Sequence, residues 1–430
     1  MENTHSNRRE WMTAAAGGML IGTSKAWAGA NDRMRVALIG AGGRGGALMR
    51  EMWEVPNVSV VAVAEPDRNR LAKRAGEVEA KEGKAPRTET DLRKILEDPS
   101  IDAVTIATCN HWHTLAAIWA MQAGKHVYVE KPVCHNFFEG QKLAEASRKY
   151  NRVVQGGTQR RSVGRIRRAM QLLNDGAIGQ VFMSRNLVTR YRKPIGFKNP
   201  ETPPSWLDWD VWLGPAPSQD YHANLIHYNW HWFWDFGNGE MGNNGVHYID
   251  VARWGMNQKL PVRVQSTGGR FGDKDQAQTP NVQNAQFTYA DGSILECEIR
   301  NVYSTETSHF HFYGTKGYMY FVEDWRKQEF DYKIYLGDTE KPEPDGGTAE
   351  PLHHYGNFVA AVKAGKPEMA VCNAEEARLS SSHCMLADIS YRLKRDLRFD
   401  PKAERFVGDS EADRMLTHGY RKGFEVPDRV

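Results

Sequence analysis

A glycine-rich hexapeptide, GAGGRG at residues 40–45, directly follows the apolar run MRVALI and matches the pattern G-x-G-x-x-G. Glycines at this spacing permit a tight turn and let the backbone approach a pyrophosphate, whose charge meets the amino terminus of the next helix. The stretch therefore predicts a dinucleotide site, although a glycine-rich turn of an unrelated α/β domain can show the same sequence pattern. The predicted binding residues are Gly40, Gly42, Gly43, Arg44 and Gly45.

An acidic residue follows at the distance that a ribose contact requires. Glu65 lies 20 residues beyond Gly45, at the end of the apolar run VSVVAVA. A carboxylate there can accept hydrogen bonds from both ribose hydroxyls and would repel a 2′-phosphate. NAD is therefore favoured over NADP as the cofactor, although Arg44 and Arg68 are cations that can accommodate such a phosphate.

The stretch WHWFWDF at 230–236 concentrates aromatic side chains before the glycine- and asparagine-rich segment 237–245. Flat indole rings can cover the C–H faces of a pyranose, while Asn, Asp and His side chains bind its hydroxyls. The same aromatics can instead pack between a sheet and a helix, and alternate side chains must point away from a ligand. The candidate substrate-binding residues here are Trp230, His231, Trp232, Trp234 and Asp235.

Strands and helices alternate between residues 34 and 157. Apolar runs such as VSVVAVA lack a helical period and predict buried strands, whereas HTLAAIWAMQAG and FEGQKLAEASRKY have helical spacing. This alternation predicts a doubly wound parallel sheet with helices on both faces. The sheet must present the hexapeptide, Glu65 and the tripeptide EKP (130–132) at the carboxyl ends of its strands, where ligands bind in such sheets.

After residue 157 the pattern changes from alternating helices and strands to hairpins. A helical segment at 162–175 and a strand at 180–190 precede a long irregular region that carries most of the tryptophans. AQFTYADGSILECEIR and HFHFYGTKGYMYFV then contain turn signals, Asp291-Gly292 and GTKG, between alternating residues. Hairpins without intervening helices predict an antiparallel sheet, and helical patterns return at 353–364 and 374–394. The predicted fold class is α/β, with a parallel domain followed by an α+β domain.

The combination of these motifs resembles the Gfo/Idh/MocA oxidoreductases, named for glucose–fructose oxidoreductase, inositol dehydrogenase and a rhizopine-catabolism protein. The motifs are the glycine-rich turn, the strand-end acid, TCNHWH at 108–113, EKP, and G-x-H-x-x-D at 245–250. The resemblance implies an NAD-binding Rossmann domain at 31–157 and a substrate and oligomerisation domain with an open, mainly antiparallel sheet at 158–430. It also implies a homo-oligomer, paired through the exposed face of that sheet. The further cofactor-binding residues are Thr108, Asn110, His113, Glu130 and Lys131.

The resemblance also assigns catalytic roles. Lys131 would lie between the nicotinamide and the reacting hydroxyl, where an ammonium polarises the oxygen and assists proton transfer while Glu130 helps hold it. His247 matches the family's histidine, and a neutral imidazole can take the hydroxyl proton near neutral pH. A surface lysine at a strand end and a structural histidine are the simpler alternatives. Asp250 is expected to fix local structure.

One position departs from the family pattern. Many of these dehydrogenases carry aspartate four residues before the histidine, where this chain has Asn243. Asparagine can orient a substrate hydroxyl, but it cannot accept its proton or hold an imidazolium by charge. The predicted catalytic residues are thus Lys131, His247 and Asn243, with Arg160 and Asn244 as further substrate-binding candidates.

Composition narrows the possible partners. The 430 residues include 40% hydrophobic and 25% charged residues with a net charge of +3, which does not predict nucleic-acid binding. The five cysteines lack C-x-x-C spacing, and the histidines lack H-E-x-x-H or facial-triad spacing, so no metal is expected. Buried free thiols are the expected state of the cysteines, with a Cys372–Cys384 disulfide as the alternative.

Residues 1–30 resemble a twin-arginine export signal rather than part of the fold. Arg8 and Arg9 precede an apolar stretch that ends in small residues and is too short to span a membrane comfortably. The segment predicts a periplasmic or otherwise exported protein that engages the twin-arginine export machinery. Export after folding suits a protein that loads a nucleotide in the cytoplasm. A disordered basic tail is the alternative interpretation.

The expected function is nicotinamide-dependent hydride transfer to or from a ring carbon of a sugar, glycoside or polyol. Free NAD is scarce outside the cytoplasm, which would favour a tightly bound cofactor that recovers its hydride in each turnover. The alternative is a glycoside hydrolase that works by transient C3 oxidation, elimination and re-reduction, with His231 or Tyr228 as an extra base. A third hypothesis is a sugar- or dinucleotide-binding protein without catalysis.

Overall fold

The computed structural model describes residues 33–272, 274–303, 307–324 and 329–430. The predicted export signal at 1–30, with Arg8 and Arg9, lies outside the described residues. Among the helices that are described, none has both the length and the apolar character needed to cross a membrane.

The first sheet has six parallel strands in the order β3-β2-β1-β4-β5-β6. Its central strands are buried apolar runs because helices cover both faces. The strands are β1 (Met34–Ile39), β2 (Val58–Ala64), β3 (Arg87–Glu89), β4 (Ala103–Ile106), β5 (His126–Val129) and β6 (Val154–Gly156). The first five helices are α1 (Gly43–Glu54), α2 (Arg68–Glu82), α3 (Leu92–Leu96), α4 (Asn110–Gln122) and α5 (Phe137–Tyr150).

This sheet confirms the predicted doubly wound half, with two elements that the sequence pattern did not indicate. Helix α2 buries only Leu71 and Val78 and is otherwise polar, so its apolar periodicity is weak. Its start is fixed instead by Asp67, whose side chain accepts hydrogen bonds from the backbone N–H groups of the first turn. Strand β3 has three residues and is largely exposed, too short for a pattern.

The second sheet has nine strands in the order β13-β12-β11-β7-β10-β9-β8-β14-β15. All neighbours are antiparallel except β7 and β10, which confirms the mainly antiparallel prediction. The strands are β7 (Val181–Thr189), β8 (Arg263–Gly269), β9 (Val282–Thr288), β10 (Ile294–Arg300), β11 (His309–Gly314), β12 (Gly317–Asp324), β13 (Glu329–Leu336), β14 (Leu397–Asp400) and β15 (Arg405–Phe406). The remaining helices are α6 (Gly164–Asn174), α7 (Trp209–Leu213), α8 (Val246–Met256), α9 (His354–Ala364), α10 (Ala374–Leu393) and α11 (Ser410–Arg414).

Burial along the strands of the second sheet alternates, because one face packs against α8 and α10 while the other is partly exposed. Helix α9 comes late in the chain but packs on the parallel sheet, where the Tyr355 hydroxyl lies 2.8 Å from Thr105 Oγ1. All five cysteines are free, so Cys372 and Cys384 do not form the alternative disulfide.

Candidate active site

A cleft of about 490 Å³ lies where the carboxyl ends of β1, β2, β4 and β5 face the irregular segment before α8. It combines the glycine-rich turn with the aromatic stretch and the segment around His247, which are far apart in sequence. The predicted residues that line it are Gly40, Gly42, Gly43, Arg44, Glu65, Thr108, Asn110, His113, Glu130, Lys131, Trp230, His231, Asn243 and His247.

The glycine turn has the shape that a pyrophosphate requires. Gly40 has a φ of +92°, and a Cβ on it would lie 2.6 Å from the backbone of Ala107. A Cβ on Gly45 would lie 2.0 Å from the carbonyl oxygen of Gly40, although Gly45 itself does not line the cleft. Gly43 begins α1, is exposed, and has only open space where its Cβ would stand. The turn therefore fits a dinucleotide, whose phosphates would meet the amino terminus of α1.

Glu65 is fixed against this turn by the backbone. Its Oε2 accepts a hydrogen bond from Ala41 N at 2.6 Å, its Oε1 accepts one from Asp67 N at 3.2 Å, and burial raises its pKa. Arg68 does not line the cleft; it is exposed and its Nη1 donates to the carbonyl of Ser205. Arg70, which the sequence analysis did not select, lines the cleft as Arg44 and Lys131 do.

Glu130 is an ionised group behind the catalytic candidates. It accepts hydrogen bonds from Arg44 Nε at 2.7 Å and from Gln159 Nε2 at 3.1 Å. Burial alone would raise the pKa of Glu130, but the Arg44 guanidinium and the Lys131 ammonium hold it below its usual value. Arg44 also forms an ion pair with Glu51. Two carboxylates therefore already offset the positive charge that Arg44 could offer to a phosphate.

Lys131 contacts the residue that departs from the family pattern. Its Nζ donates to the backbone carbonyl of Asn243 and lies 3.3 Å from Asn243 Oδ1. The Asn243 amide in turn donates to the hydroxyl of Tyr228 at 3.2 Å. Burial lowers the pKa of Lys131 to about 8, although the carboxylate of Glu130 opposes the shift. Lysine, asparagine and tyrosine thus form one chain of polar contacts in the cleft.

His247 lies in the first turn of α8, directly after a π-helical turn at Met241–Gly245 that also carries Asn243. Its Nδ1 is buried and has no hydrogen-bond partner among the residues that the structure describes. Burial and the charges of Lys131 and Arg160 lower the pKa of His247 well below its ordinary value. The imidazole is therefore neutral at physiological pH, and its ring lines the cleft.

The aromatic stretch divides between the cleft and the protein interior. Trp230 and His231 line the cleft with their rings stacked, the centroids 3.5 Å apart. Trp232 packs under the guanidinium of Arg192 instead, and Trp234 packs against Arg392. Asp235 is exposed and accepts a hydrogen bond from Gln219. Since these three do not line the cleft, the structure does not bring them together with the catalytic candidates.

Two further substrate candidates also lie outside the lining. Arg160 is buried, donates to Glu323 at 2.6 Å, and has its guanidinium 3.9 Å from the ring centroid of Tyr248. Asn244 donates its side-chain amide to Glu240. Each side chain is already committed to a protein partner, so a direct substrate contact by either stays a prediction.

Two family matches cover the first sheet and all of the second except β7. Residues 34–158 match the description "Oxidoreductase family, NAD-binding Rossmann fold", and residues 195–426 match "Oxidoreductase family, C-terminal alpha/beta domain", both of the GFO_IDH_MocA type. The chain belongs to the Gfo/Idh/MocA family of oxidoreductases.

Named relatives in this family include carbohydrate and polyol dehydrogenases. Levoglucosan dehydrogenase of Pseudarthrobacter phenanthrenivorans is 25% identical over 361 residues, covering 77% of this chain and 84% of that protein. Inositol 2-dehydrogenase 2 of Saccharopolyspora erythraea is 25% identical over 271 residues, covering 62% and 66%. A glycosyl hydrolase family 109 protein of Solibacter usitatus is 31% identical over 137 residues, which is 29% of this chain and 31% of that protein.

Solved structures show the same fold. Aldose-aldose oxidoreductase from Caulobacter crescentus superposes with a TM-score of 0.66 at 17% identity, covering 85% of this chain and all of that one. The WlbA dehydrogenase from Bordetella pertussis, in complex with NADH and UDP-GlcNAcA, gives a TM-score of 0.67 at 17% identity, covering 86% and 99%.

This Gfo/Idh/MocA protein also has cleft residues that sequence reasoning missed. Trp212 lines the cleft and stacks on Trp209, and the sequence analysis selected neither. Trp112 lines the cleft as well, and a signal for it existed, because it lies within the TCNHWH motif. Gln159 and His227 had no such signal, since only the folded loops bring them to the cleft.

Proposed function

We propose that this protein transfers hydride between a bound nicotinamide cofactor and a ring carbon of a sugar, glycoside or polyol. The observation that carries the proposal is the meeting of Lys131 and His247 in one cleft with the glycine turn and the Trp230–His231 stack. The named relatives that are carbohydrate and polyol dehydrogenases support the substrate class.

When bound, the nicotinamide supplies or accepts the hydride, and the proton is handled by this chain's own groups. Lys131, with a pKa of about 8, can donate a hydrogen bond to the substrate oxygen and exchange a proton with it. The Asn243 carbonyl fixes the direction of Nζ. His247 is neutral and can accept the hydroxyl proton, which Asn243, being an amide, cannot do.

The cofactor proposed is NAD rather than NADP. Glu65 presents a buried carboxylate at the end of β2, where it would meet the ribose hydroxyls and repel a 2′-phosphate. Arg70 lines the cleft nearby, but its Nε lies 3.5 Å from Asp67, which offsets its charge. Equilibrium binding of both nucleotides tests this proposal, and tighter binding of NADP would contradict it.

A second candidate function is glycoside cleavage through a closed redox cycle. Oxidation of C3 to a ketone acidifies the C2 proton, whose removal expels the C1 substituent. Water then adds at C1, the C2 proton returns, and the ketone is reduced, so the net reaction is hydrolysis. His231 favours this candidate, because its Nδ1 donates to the carbonyl of Tyr228 at 2.6 Å and leaves Nε2 as an acceptor. Burial lowers the pKa of His231 to about 3, which keeps the ring neutral but makes it a weak base.

One measurement separates the two candidates. Mature protein purified without added nucleotide is denatured, and the released NAD and NADH are quantified against protein. Near-stoichiometric release supports a tightly bound cofactor and a closed cycle, and glycosides are then assayed for cleavage. An empty protein that binds NAD reversibly and forms NADH with sugars supports the ordinary dehydrogenase. A protein that binds sugar and NAD but turns over neither substrate class supports a binding protein without catalysis.

Export and assembly complete the proposal. Arg8 and Arg9 with the apolar stretch that follows support export through the twin-arginine pathway. Replacing both with lysine is expected to leave the chain unexported, which cell fractionation measures.

A homo-oligomer is proposed through the outer face of the second sheet, where Tyr318 and Tyr335 stack and Phe182 is 47% exposed. Light scattering at a single monomer mass would contradict it.

A further inference from the structure

Three potential metal ligands meet outside the cleft. His135 lies between β5 and α5, Glu139 in the first turn of α5, and His418 in the segment after α11. His135 Nδ1 lies 3.3 Å from His418 Nε2, which lies 3.8 Å from Glu139 Oε1. The three ligand atoms are all within 4.8 Å of one another. Two regions 283 residues apart in sequence thus present their ligand atoms to one point.

These separations are close to those around a bound transition metal. A tetrahedral zinc ion with metal–ligand distances of about 2.0–2.2 Å places its ligand atoms about 3.4 Å apart. A modest inward movement of the Glu139 oxygen would complete that spacing. His418 lies near the protein surface, with its side chain 31% exposed. A fourth coordination position of the metal ion would therefore be open to water.

Glu139 is a buried carboxylate that lacks a permanent positive charge. Its exposure is 0%, and within the described residues it forms no ion pair with Lys or Arg. Its oxygens accept hydrogen bonds from the neutral groups His135 N at 2.7 Å, Asn136 Nδ2 at 3.0 Å and Tyr420 OH at 3.3 Å. These donors orient the carboxyl group but carry no positive charge, which its ionised form would need in a buried position.

We infer that His135, Glu139 and His418 bind one divalent transition-metal ion, with Zn²⁺ the cation that best fits this donor set. Two imidazoles and one carboxylate match zinc and its neighbours in the first transition row, whereas Ca²⁺ and Mg²⁺ prefer oxygen alone. The ion supplies the charge that Glu139 lacks, and the hydrogen bonds to that carboxylate serve as its outer partners.

The site joins the end of the chain to the wall of the cleft. Beyond His418, Arg421 donates to the carbonyl of Gly214 at 2.9 Å, and Phe424 packs edge-on against Trp112, which lines the cleft. The three ligands themselves do not line the cleft. The metal's role is therefore to anchor the carboxyl-terminal segment behind the cleft, separate from hydride transfer.

The test uses full-length mature protein without an affinity tag, freed of metal with a chelator. Calorimetric titration with ZnCl₂ is expected to give one tight site per chain, and CoCl₂ the visible absorption of a tetrahedral N/O site. His418→Ala is expected to weaken binding at least about 100-fold, the upper range for loss of even an outer-sphere partner. Glu139→Gln, similar in shape but neutral, is expected to weaken it as well.

The matched control is His353→Asn. His353 is partly exposed, lies far from the cluster in sequence and caps the start of α9, and asparagine can cap a helix as well. It is expected to bind zinc as the wild type does. Circular dichroism of each variant shows whether it folds, and His418→Ala should, since it truncates a side chain near the surface. Wild-type protein that binds zinc no more tightly than His418→Ala overturns the inference.

Discussion

The cofactor side of the cleft is shaped by backbone at the ends of β1 and β2, whereas the opposite side is shaped by side chains. On the cofactor side, the space beside Gly40, Gly43 and Gly45 determines which side chains the turn can carry. On the opposite side, a 3₁₀ turn at Asn229–Trp232 and a π-helical turn at Met241–Gly245 present the aromatic rings and polar groups.

This difference separates the tasks of the two sides. Backbone geometry tolerates almost no change, so one dinucleotide site can serve many enzymes with the same fold. Side chains on irregular turns, such as that of Asn243, can change one at a time. Substitutions on the cofactor side should therefore reduce cofactor affinity or stability. Substitutions on the opposite side should reduce the rate or the substrate affinity.

The largest expected effect is that of Lys131→Met. Methionine is unbranched and one heavy atom shorter, and it removes the charge and the exchangeable proton, so kcat should fall by about 10³-fold, within the range for general acid–base catalysis. Calorimetry should show sugar and NAD binding retained. Lys73→Met, at an exposed helix position, is the control and should leave kcat unchanged. Unchanged turnover in Lys131→Met would remove this residue from the chemistry.

The next effect distinguishes two glycines of the same turn. A Cβ at Gly45 would lie 2.0 Å from the Gly40 carbonyl, so Gly45→Ala must displace backbone and should cost about 1–3 kcal/mol of folding free energy. Gly43 has open space and lines the cleft, so Gly43→Ala should keep the wild-type Tm yet weaken NAD binding about tenfold, because the methyl would take space where the pyrophosphate is expected. Calorimetric Tm and NAD affinity are the measurements, and equal losses of Tm in both variants would contradict this assignment.

The same contrast explains what the sequence could predict. The parallel sheet follows from buried apolar runs and from glycines whose spacing reports backbone shape, as at GAGGRG. Helix α2 was missed because its burial rests on Leu71 and Val78 alone, with Asp67 fixing its start. Strand β13 was missed although EFDYKIYL alternates apolar and polar residues, whereas β14 and β15, with four and two residues, are too short for a pattern.

The candidate site was predictable where motifs carry it and not where loops fold back. Glu65 was selected from its spacing after the glycine-rich turn, and Lys131 and His247 from the motifs that carry the family resemblance; all three line the cleft. Trp232 and Trp234 were selected for their type, but their direction depends on a 3₁₀ turn and on cationic neighbours, Arg192 and Arg392, that composition does not reveal. Spacing indicates which residue types are near a site, whereas packing decides which of them face it.

The pH dependence of the rate tests the departure at Asn243. In the reduction direction Lys131 must carry a proton to donate, so kcat/KM should fall as the pH rises above about 8, its lowered pKa. Asn243→Asp places a carboxylate beside the ammonium and favours the charged form, so the fall should move to higher pH by about one unit or more. Profiles of kcat/KM against pH for the wild type and Asn243→Asp measure this shift. If kcat/KM falls at the same pH in both proteins, Lys131 is not the titrating group.

The smallest effect compares two tryptophans of one stretch. Trp230→Ala removes an indole that lines the cleft and supports the ring of His231, so KM for the sugar should rise about 2–10-fold, the range for one aromatic contact. Trp234→Ala removes an indole that packs against Arg392 outside the cleft and should leave KM within experimental error. If both variants raised KM equally, the aromatic stretch would act through the stability of its loop rather than through contact. The substrate side of the cleft would then depend on fold rigidity, as the glycine side does.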